Sequence, residues 1–395
     1  MTAYSNSLLS TYEQCPLKYK LRYRDRIKRK FETVEGFLGT MVHWSLKKCY
    51  DDHRFGVNMN MDELLSHFNG LWKHRWNDSI IIVKKNKTSE DYKSRGEEML
   101  GKYYRHYSPF NSDLTIDTEL SVSFFLDDAH EYRMIGYIDR LSKTPDGIIQ
   151  IHDFKTSANL PSQNDADTDR QLALYQLGVQ QKWPDYNNIH LIWHYLAFDM
   201  ELVSSRSPEA IFELSRNTMR LIDEIESTQE FPPRESGLCD WCEYPDLCPI
   251  RKHFVKKESV TKNEYDSEQG VILVDRFALL NNRGEGTDGE MEKVKIELIE
   301  YAHREGIDVI RGSEYQVKIT SVNKMKFRGK SDIESKELEN IIHEAGKWAK
   351  IFQSDINSLA GVFDSNLWSN ELMEQIMKYS DNEKGYSIQI SRLGN

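Results

Sequence analysis

Residues 136–155 read Gly136-Tyr-Ile-Asp-Arg-Leu-Ser-Lys-Thr-Pro-Asp-Gly-Ile-Ile-Gln-Ile-His-Asp-Phe-Lys155. Two apolar runs flank a Pro145-Asp146-Gly147 turn, which is the signature of a β-hairpin. Asp139 lies on the first strand, and Asp153 and Lys155 lie on the second. Residues two apart on a strand share a face, so Asp153 and Lys155 project together. Hard oxygen ligands suit a divalent cation, and a phosphodiester under attack needs a nearby positive charge. An exposed Asp153–Lys155 ion pair would be worth little. The flanks Ile148, Ile149, Ile151 and Phe154 instead mark a strand sunk in a core, where acids and lysines are rare unless paired or metal-bound.

Working outward, Gly39-Thr-Met-Val-His43 opens an apolar helical pattern, Met41, Val42, Trp44 and Leu46. On the other side Gln171-Leu-Ala-Leu-Tyr175 sits on an amphipathic helix, so Gln171 and Tyr175 share a face. Taken alone, His43 is a core histidine and Tyr175 a packing residue. In this order, however, the four stretches resemble the PD-(D/E)XK nucleases, and specifically their RecB-like branch, which includes helicase-nuclease domains and CRISPR-adaptation exonucleases. The resemblance covers roughly residues 1–255. It implies a restriction-endonuclease-like α/β fold, a central mixed sheet flanked by helices. It also implies that His43, Asp139 and Asp153 bind Mg²⁺ or Mn²⁺, with the Phe154 carbonyl as a further ligand. Lys155 would orient or activate the attacking water, and Gln171 and Tyr175 would sit beside the scissile phosphate.

Of five cysteines, three fall in Cys239-Asp-Trp-Cys242-Glu-Tyr-Pro-Asp-Leu-Cys248, and a fourth is Cys15 near the N-terminus. No signal peptide or long apolar run is read, so a reducing cytoplasmic compartment is expected, where disulfides are rare. A tight thiol cluster there suggests a metal centre, and both zinc and iron–sulfur clusters accept four thiolates. Structural zinc usually draws two close pairs, whereas this set is one plus three. That split resembles the iron–sulfur staple of the AddB-type and CRISPR-adaptation nucleases, which implies a 4Fe–4S cluster on Cys15, Cys239, Cys242 and Cys248. By the loop-entropy model a permanent crosslink of that span is worth on the order of 5 kcal/mol. Cys49, in mid-helix, reads as an ordinary buried thiol.

The chain has 395 residues, 29% of them charged, and a net charge of −11, which argues against a broad DNA-coating surface. Positive charge must then be local. Lys18–Lys30 holds eight basic residues against one acid, interleaved with Tyr19 and Tyr23. Lys18, Lys20, Arg22 and Arg24 with those rings could track and stack on single-stranded DNA, or could be a solvated helix face.

Helical patterning dominates about 45–107, strands occupy 114–203, and a helix at about 208–228 precedes the cysteines. Ser5 or Ser7 is expected to cap a helix carrying Cys15. A polar linker is expected at 256–270, then a smaller α+β accessory domain at 271–395, a candidate dock for DNA or for a helicase or other protein. Its expected elements are helices at Met291–Glu305, Glu334–Phe352 and Leu367–Tyr379, strands within Val309–Ser321, and a final strand from Tyr386. Lys324–Lys330 adds a basic patch. No Walker motif is present, so ATP-driven unwinding would need another chain. The expected activity is hydrolysis of DNA, exonucleolytic on single-stranded or frayed ends, in repair, recombination or defence. The alternative is a catalytically silent DNA-binding or structural subunit of a helicase-nuclease complex. No membrane association is expected.

Overall fold

The computed structural model describes residues 3–29, 32–259, 265–266, 268–283, 288–327 and 380–393, with single positions 341, 344 and 375. The chain forms two compact units, Met1–Tyr244 and Pro245–Asn395.

The first unit is built on a six-stranded mixed sheet. Strands β1 (Ala3–Tyr4), β5 (Arg133–Lys143), β6 (Ile149–Lys155), β7 (Ile189–Tyr195) and β8 (Met200–Ser204) follow one another across it, and β4 (Leu114–Phe125) also pairs with β5. β6 and β7 are parallel, whereas β4–β5, β5–β6 and β7–β8 are antiparallel. The β5–β6 turn closes on Thr144, whose backbone and hydroxyl bond Ile148, and Gly147 takes the left-handed φ of +93° that the turn requires.

Both faces of the sheet are covered. On one side Leu120, Val122, Phe124, Ile138, Ile151 and Trp193 pack beneath α1 (Asn6–Gln14), α7 (Arg170–Lys182) and α8 (Pro208–Ser227). On the other, Phe154 and Leu196 join α3 (Val34–Arg54), α4 (Met61–Arg75) and α5 (Ser89–Tyr107). The side chains of Thr33, Asn60 and Thr88 cap these last three helices, the latter two with full capping boxes. The result is the mixed α/β architecture expected of a restriction-endonuclease-like fold.

Two local expectations change. Ser5 caps α1, but the helix ends at Gln14. Cys15 is the extended residue between α1 and α2 (Pro16–Tyr19), because Pro16 forces the residue before it out of helical geometry. Strand β8 and the short α6 (Gln163–Thr168) carry patterns too brief to read from sequence.

The second unit packs helices Gln269–Arg283 and Asp288–Glu305 against an antiparallel sheet of Val309–Arg311, Tyr315–Phe327 and Ser380–Arg392. The stretch read as a polar linker is, where described, part of this unit. Lys252–Ser259 is helical, and Tyr265 is buried and donates to the Arg311 carbonyl. Among its described residues Tyr265 is the buried apolar anchor. Lys324–Phe327 belong to a strand; the rest of that patch and the helices expected at Glu334–Phe352 and Leu367–Tyr379 lie outside the described residues.

Candidate metal centre

Backbone pairing of β5 with β6 runs from Lys143–Ile149 to Arg140–His152 and goes no further. One step beyond stand Asp139 and Asp153. Instead of a ladder bond, the Phe154 N–H donates to Asp139 Oδ2 at 2.6 Å. The fork so opened is the centre of the site. Helix α3 brings His43 to it, with Nδ1 3.4 Å from Asp139 Oδ1 and Nε2 2.7 Å from the Phe154 carbonyl oxygen.

Lys155 Nζ lies 2.6 Å from Asp153 Oδ2 and donates to Gln171 Oε1 at 3.0 Å. The Gln171 amide in turn donates to Asp153 Oδ1 at 2.8 Å. Tyr175, one turn along α7, is buried, and its ring lies against Gly136, where any Cβ would come within 2.2 Å of it. His43, Asp139, Asp153, Lys155, Gln171, Tyr175 and the Phe154 carbonyl are thus brought together.

One further acid joins them. Glu119 lies on β4 between the residues that pair with Ile138 and Arg140, opposite Asp139, in the left-handed region at φ +49°. That conformation is strained for a side chain other than glycine. Leu120 and Ile138 on one side of this point enter the core under α7, while Thr118 and Arg140 on the other reach α3 through Asp51 and Tyr50. Ligand atoms of His43, Glu119 and Asp139 all lie within 4.8 Å of one another, the one such set among the described residues. Histidine nitrogen with carboxylate oxygens suits a divalent cation, so the residues present fit the ion that the fold implies.

The electrostatics agree. Burial would push His43 down, but Asp139, Asp153 and the Phe154 carbonyl hold it up at about 9. Burial, then the Asp139 charge, raises Glu119, and burial raises Asp153 despite Lys155 beside it. Lys155 is raised because the charges of Asp153 and Asp139 outweigh its own burial. Three crowded acids against Lys155 and a protonated His43 leave a negative balance that a cation would neutralise.

A family model described as the PD-(D/E)XK nuclease superfamily matches residues 3–249, more than half of the chain. The chain belongs to the PD-(D/E)XK nuclease superfamily. Among solved structures it is similar to the crystal structure of a proposed exonuclease from Eubacterium rectale: 14% identity, 61% of this chain and 87% of that chain covered, TM-score 0.37. It is also similar to SSO0001, at 14% identity, 62% and 95% coverage and a TM-score of 0.24. No curated protein matches it.

The opposite face of the same strands in this nuclease is also charged but closed. Arg140 is buried, donates to both oxygens of Asp113 at 2.7 and 2.9 Å, and stands over the Tyr50 ring. His152 takes a further Arg140 contact at 2.8 Å and meets His194 at 2.9 Å. Burial and then Arg140 push both imidazoles well down, so they are neutral there.

In the first unit the Cys15 and Cys239 sulfurs accept backbone N–H groups of Arg234 and Ser236, each at 3.4 Å. Burial raises the Cys242 thiol, and the nearby Cys15 and Cys239 add to the rise. These three thiols do not all lie within 4.8 Å of one another. Cys248 belongs to the second unit. Cys49 is buried, and burial pushes its thiol up to about 12.

The basic segment departs from its sequence reading. Tyr19 is buried and stacked on Phe231, and Tyr23 packs beside it, so Tyr19 is a core ring and not a base platform. A π-helical turn at Lys20–Arg24 winds that side of the segment into the core. Lys20 pairs with Asp25 and Arg22 with Glu243, while Arg24 covers Phe231. Further on, Arg22, Arg26, Lys28 and Arg29 line an open groove of about 500 Å³ with Tyr244.

Sequence reasoning missed Glu119, because a lone glutamate in an alternating strand carries no local signal. Pairing β4 with β5 about their connecting loop would have placed it opposite Asp139. Among the described residues no helix is long and apolar enough to cross a membrane.

Proposed function

We propose that this chain is a RecB-like, Mg²⁺- or Mn²⁺-dependent deoxyribonuclease that degrades single-stranded or frayed DNA from its ends, in repair, recombination or defence. The observation that carries this is the convergence of His43, Glu119, Asp139 and the Phe154 carbonyl beside the Asp153–Lys155–Gln171 chain. His43, Glu119, Asp139 and Asp153 would hold the cation. When bound, Mg²⁺ or Mn²⁺ supplies Lewis acidity toward a phosphoryl oxygen and makes water a better nucleophile at neutral pH.

The protein's own part is positioning and charge. Lys155, fixed by Asp153 and Gln171, presents an ammonium that orients the attacking water and offsets negative charge building on the phosphorane. Tyr175 and Gln171 form the wall against which the scissile phosphate rests. The groove lined by Arg22, Arg26, Lys28 and Arg29 offers a backbone track. End-labelled linear and circular single strands test the reading. Metal-dependent loss of the linear substrate with the circle spared is expected. Nicking of the circle would make the enzyme an endonuclease, and no cleavage with either ion would overturn the assignment.

The cysteines support a second part of the proposal, a 4Fe–4S cluster on Cys15, Cys239, Cys242 and Cys248. Two of the thiols of the first unit receive N–H···S bonds of the kind that tune iron–sulfur centres. Anaerobically purified protein should be brown and contain iron, and Cys242→Ala should bleach it. A colourless protein with stoichiometric zinc would hand the site to zinc. The 271–395 region is proposed as the dock for a helicase or other partner, and the cytoplasm as the compartment.

A further inference from the structure

Tyr137 is 60% exposed, although it lies in a central strand between the fully buried neighbours Gly136 and Ile138. A single exposed ring is ordinary; its position is not. Tyr137 stands two residues before Asp139 on the same strand, so the two share a face and are separated by roughly 7 Å. Across the ladder its partner is Ser121, two residues beyond Glu119 and too small to cover an aromatic ring.

The backbone beneath is held from the other side. Gly136, next in the chain, lies against the Tyr175 ring. Further along the same face come half-buried Ile135 and exposed Arg133, whose Nε donates to Ser123 at 3.0 Å. The strip therefore leads from the candidate metal centre past an uncovered ring to a guanidinium.

We propose that Tyr137 is a base-stacking platform that seats the unpaired nucleotide adjoining the scissile phosphate. The inference rests on the nuclease reading, and it adds a binding residue to that site. A phosphate drawn to a cation that Asp139 and Glu119 would hold has its next sugar and base within reach of a ring one strand-step away. Stacking is sequence-tolerant, because every base has a π-face, and it requires that the base be unpaired. The occupant is thus single-stranded nucleic acid, with Arg133 meeting a phosphate further along.

The test uses the full chain carrying Lys155→Ala, so that bound DNA stays intact. A 2-aminopurine is moved through an oligothymidine, and quenching and affinity are read together with Mg²⁺ present. Quenching at one position is expected. Tyr137→Ala should abolish it and weaken binding about tenfold, Tyr137→Trp should restore both, and Tyr137→Leu should not. An abasic site at that position should cost the parent as much as the alanine variant and cost the alanine variant nothing more. In the cleaving background, Tyr137→Ala should raise KM more than it lowers kcat. Unchanged affinity in Tyr137→Ala, absence of a quenched position, or rescue by leucine equal to that by tryptophan would overturn the proposal. Binding is read without cleavage, so failure of the wild-type chain to cut DNA would refute the nuclease reading and leave the stacking result standing by itself.

Discussion

The two faces of the β5–β6 pair carry charge in opposite ways. On one, the Arg140 charge is paired: both Asp113 oxygens, His152 and the Tyr50 ring surround it, its Nε alone finding no partner, and the imidazoles beside it are neutral. On the other, Glu119, Asp139 and Asp153 crowd around one lysine and a histidine held protonated. Asp139 and Arg140 are chain neighbours, as are His152 and Asp153. The lesson is that burial of charge does not mark function; an unbalanced set does. A closed network balances its own charges and holds two strands in register, whereas an unbalanced one asks for a ligand.

The comparison is broken most severely by the substitutions that separate activity from stability. Asp139→Asn and Lys155→Ala should each lower the cleavage rate by on the order of 10³-fold. Asp139→Asn should change the melting temperature in EDTA little, since relief of repulsion among the acids offsets the lost pairing with protonated His43. Cleavage within a few-fold of wild type, or a collapse in melting temperature for Asp139→Asn, would place that face with the structural one.

Arg140→Met tests the other face. It leaves Asp113 buried without its partner, which should cost roughly 3–5 kcal/mol of unfolding free energy, read by denaturant titration. A loss below about 1 kcal/mol would show that the network is not what holds the register.

Gly136→Ala is smaller. Its Cβ would meet the Tyr175 ring, and the repacking should cost about 1–3 kcal/mol. Because Tyr175 shares the site, kcat should fall more than stability predicts; a fall in stability alone would remove Tyr175 from the wall.

The mildest prediction concerns pH. His43 is raised in the metal-free protein, so its contribution to stability is full below the unfolded value near 6.5 and is lost as pH rises through about 9. A cation must displace that proton. Mn²⁺ affinity measured by calorimetry should therefore rise, by about tenfold per pH unit at most, toward pH 9 with release of one proton. A flat profile would show that His43 does not ligate.

Much of this was legible in the chain. The hairpin was visible because period-two apolar alternation and a Pro-Asp-Gly turn are local signals. So were α3, α5, α7 and α8, whose apolar stripes repeat at helical spacing. What failed to read were features set by partners. Tyr19 looked like a free ring because nothing in Lys18–Lys30 reveals Phe231 waiting beneath it. The stretch before Gln269 looked like a linker because a single buried Tyr265 anchors it.

By itself the sequence determined that Asp153 and Lys155 share a face, that Gln171 and Tyr175 share another, and that His43 lies on an apolar helix, although that helix starts earlier, at Val34, than the pattern suggested. Only the tertiary structure decided that these meet where β5 and β6 part, that Glu119 joins them, and that Arg140, one residue from Asp139, belongs to a closed network instead. The reason is that β5 and β6 stop pairing there and Glu119 leaves extended geometry at φ +49°, so which groups meet is set by backbone geometry that no residue spacing reports. A periodic reading assigns every second residue to one face, and the site lies at the point where the pairing of the two strands stops.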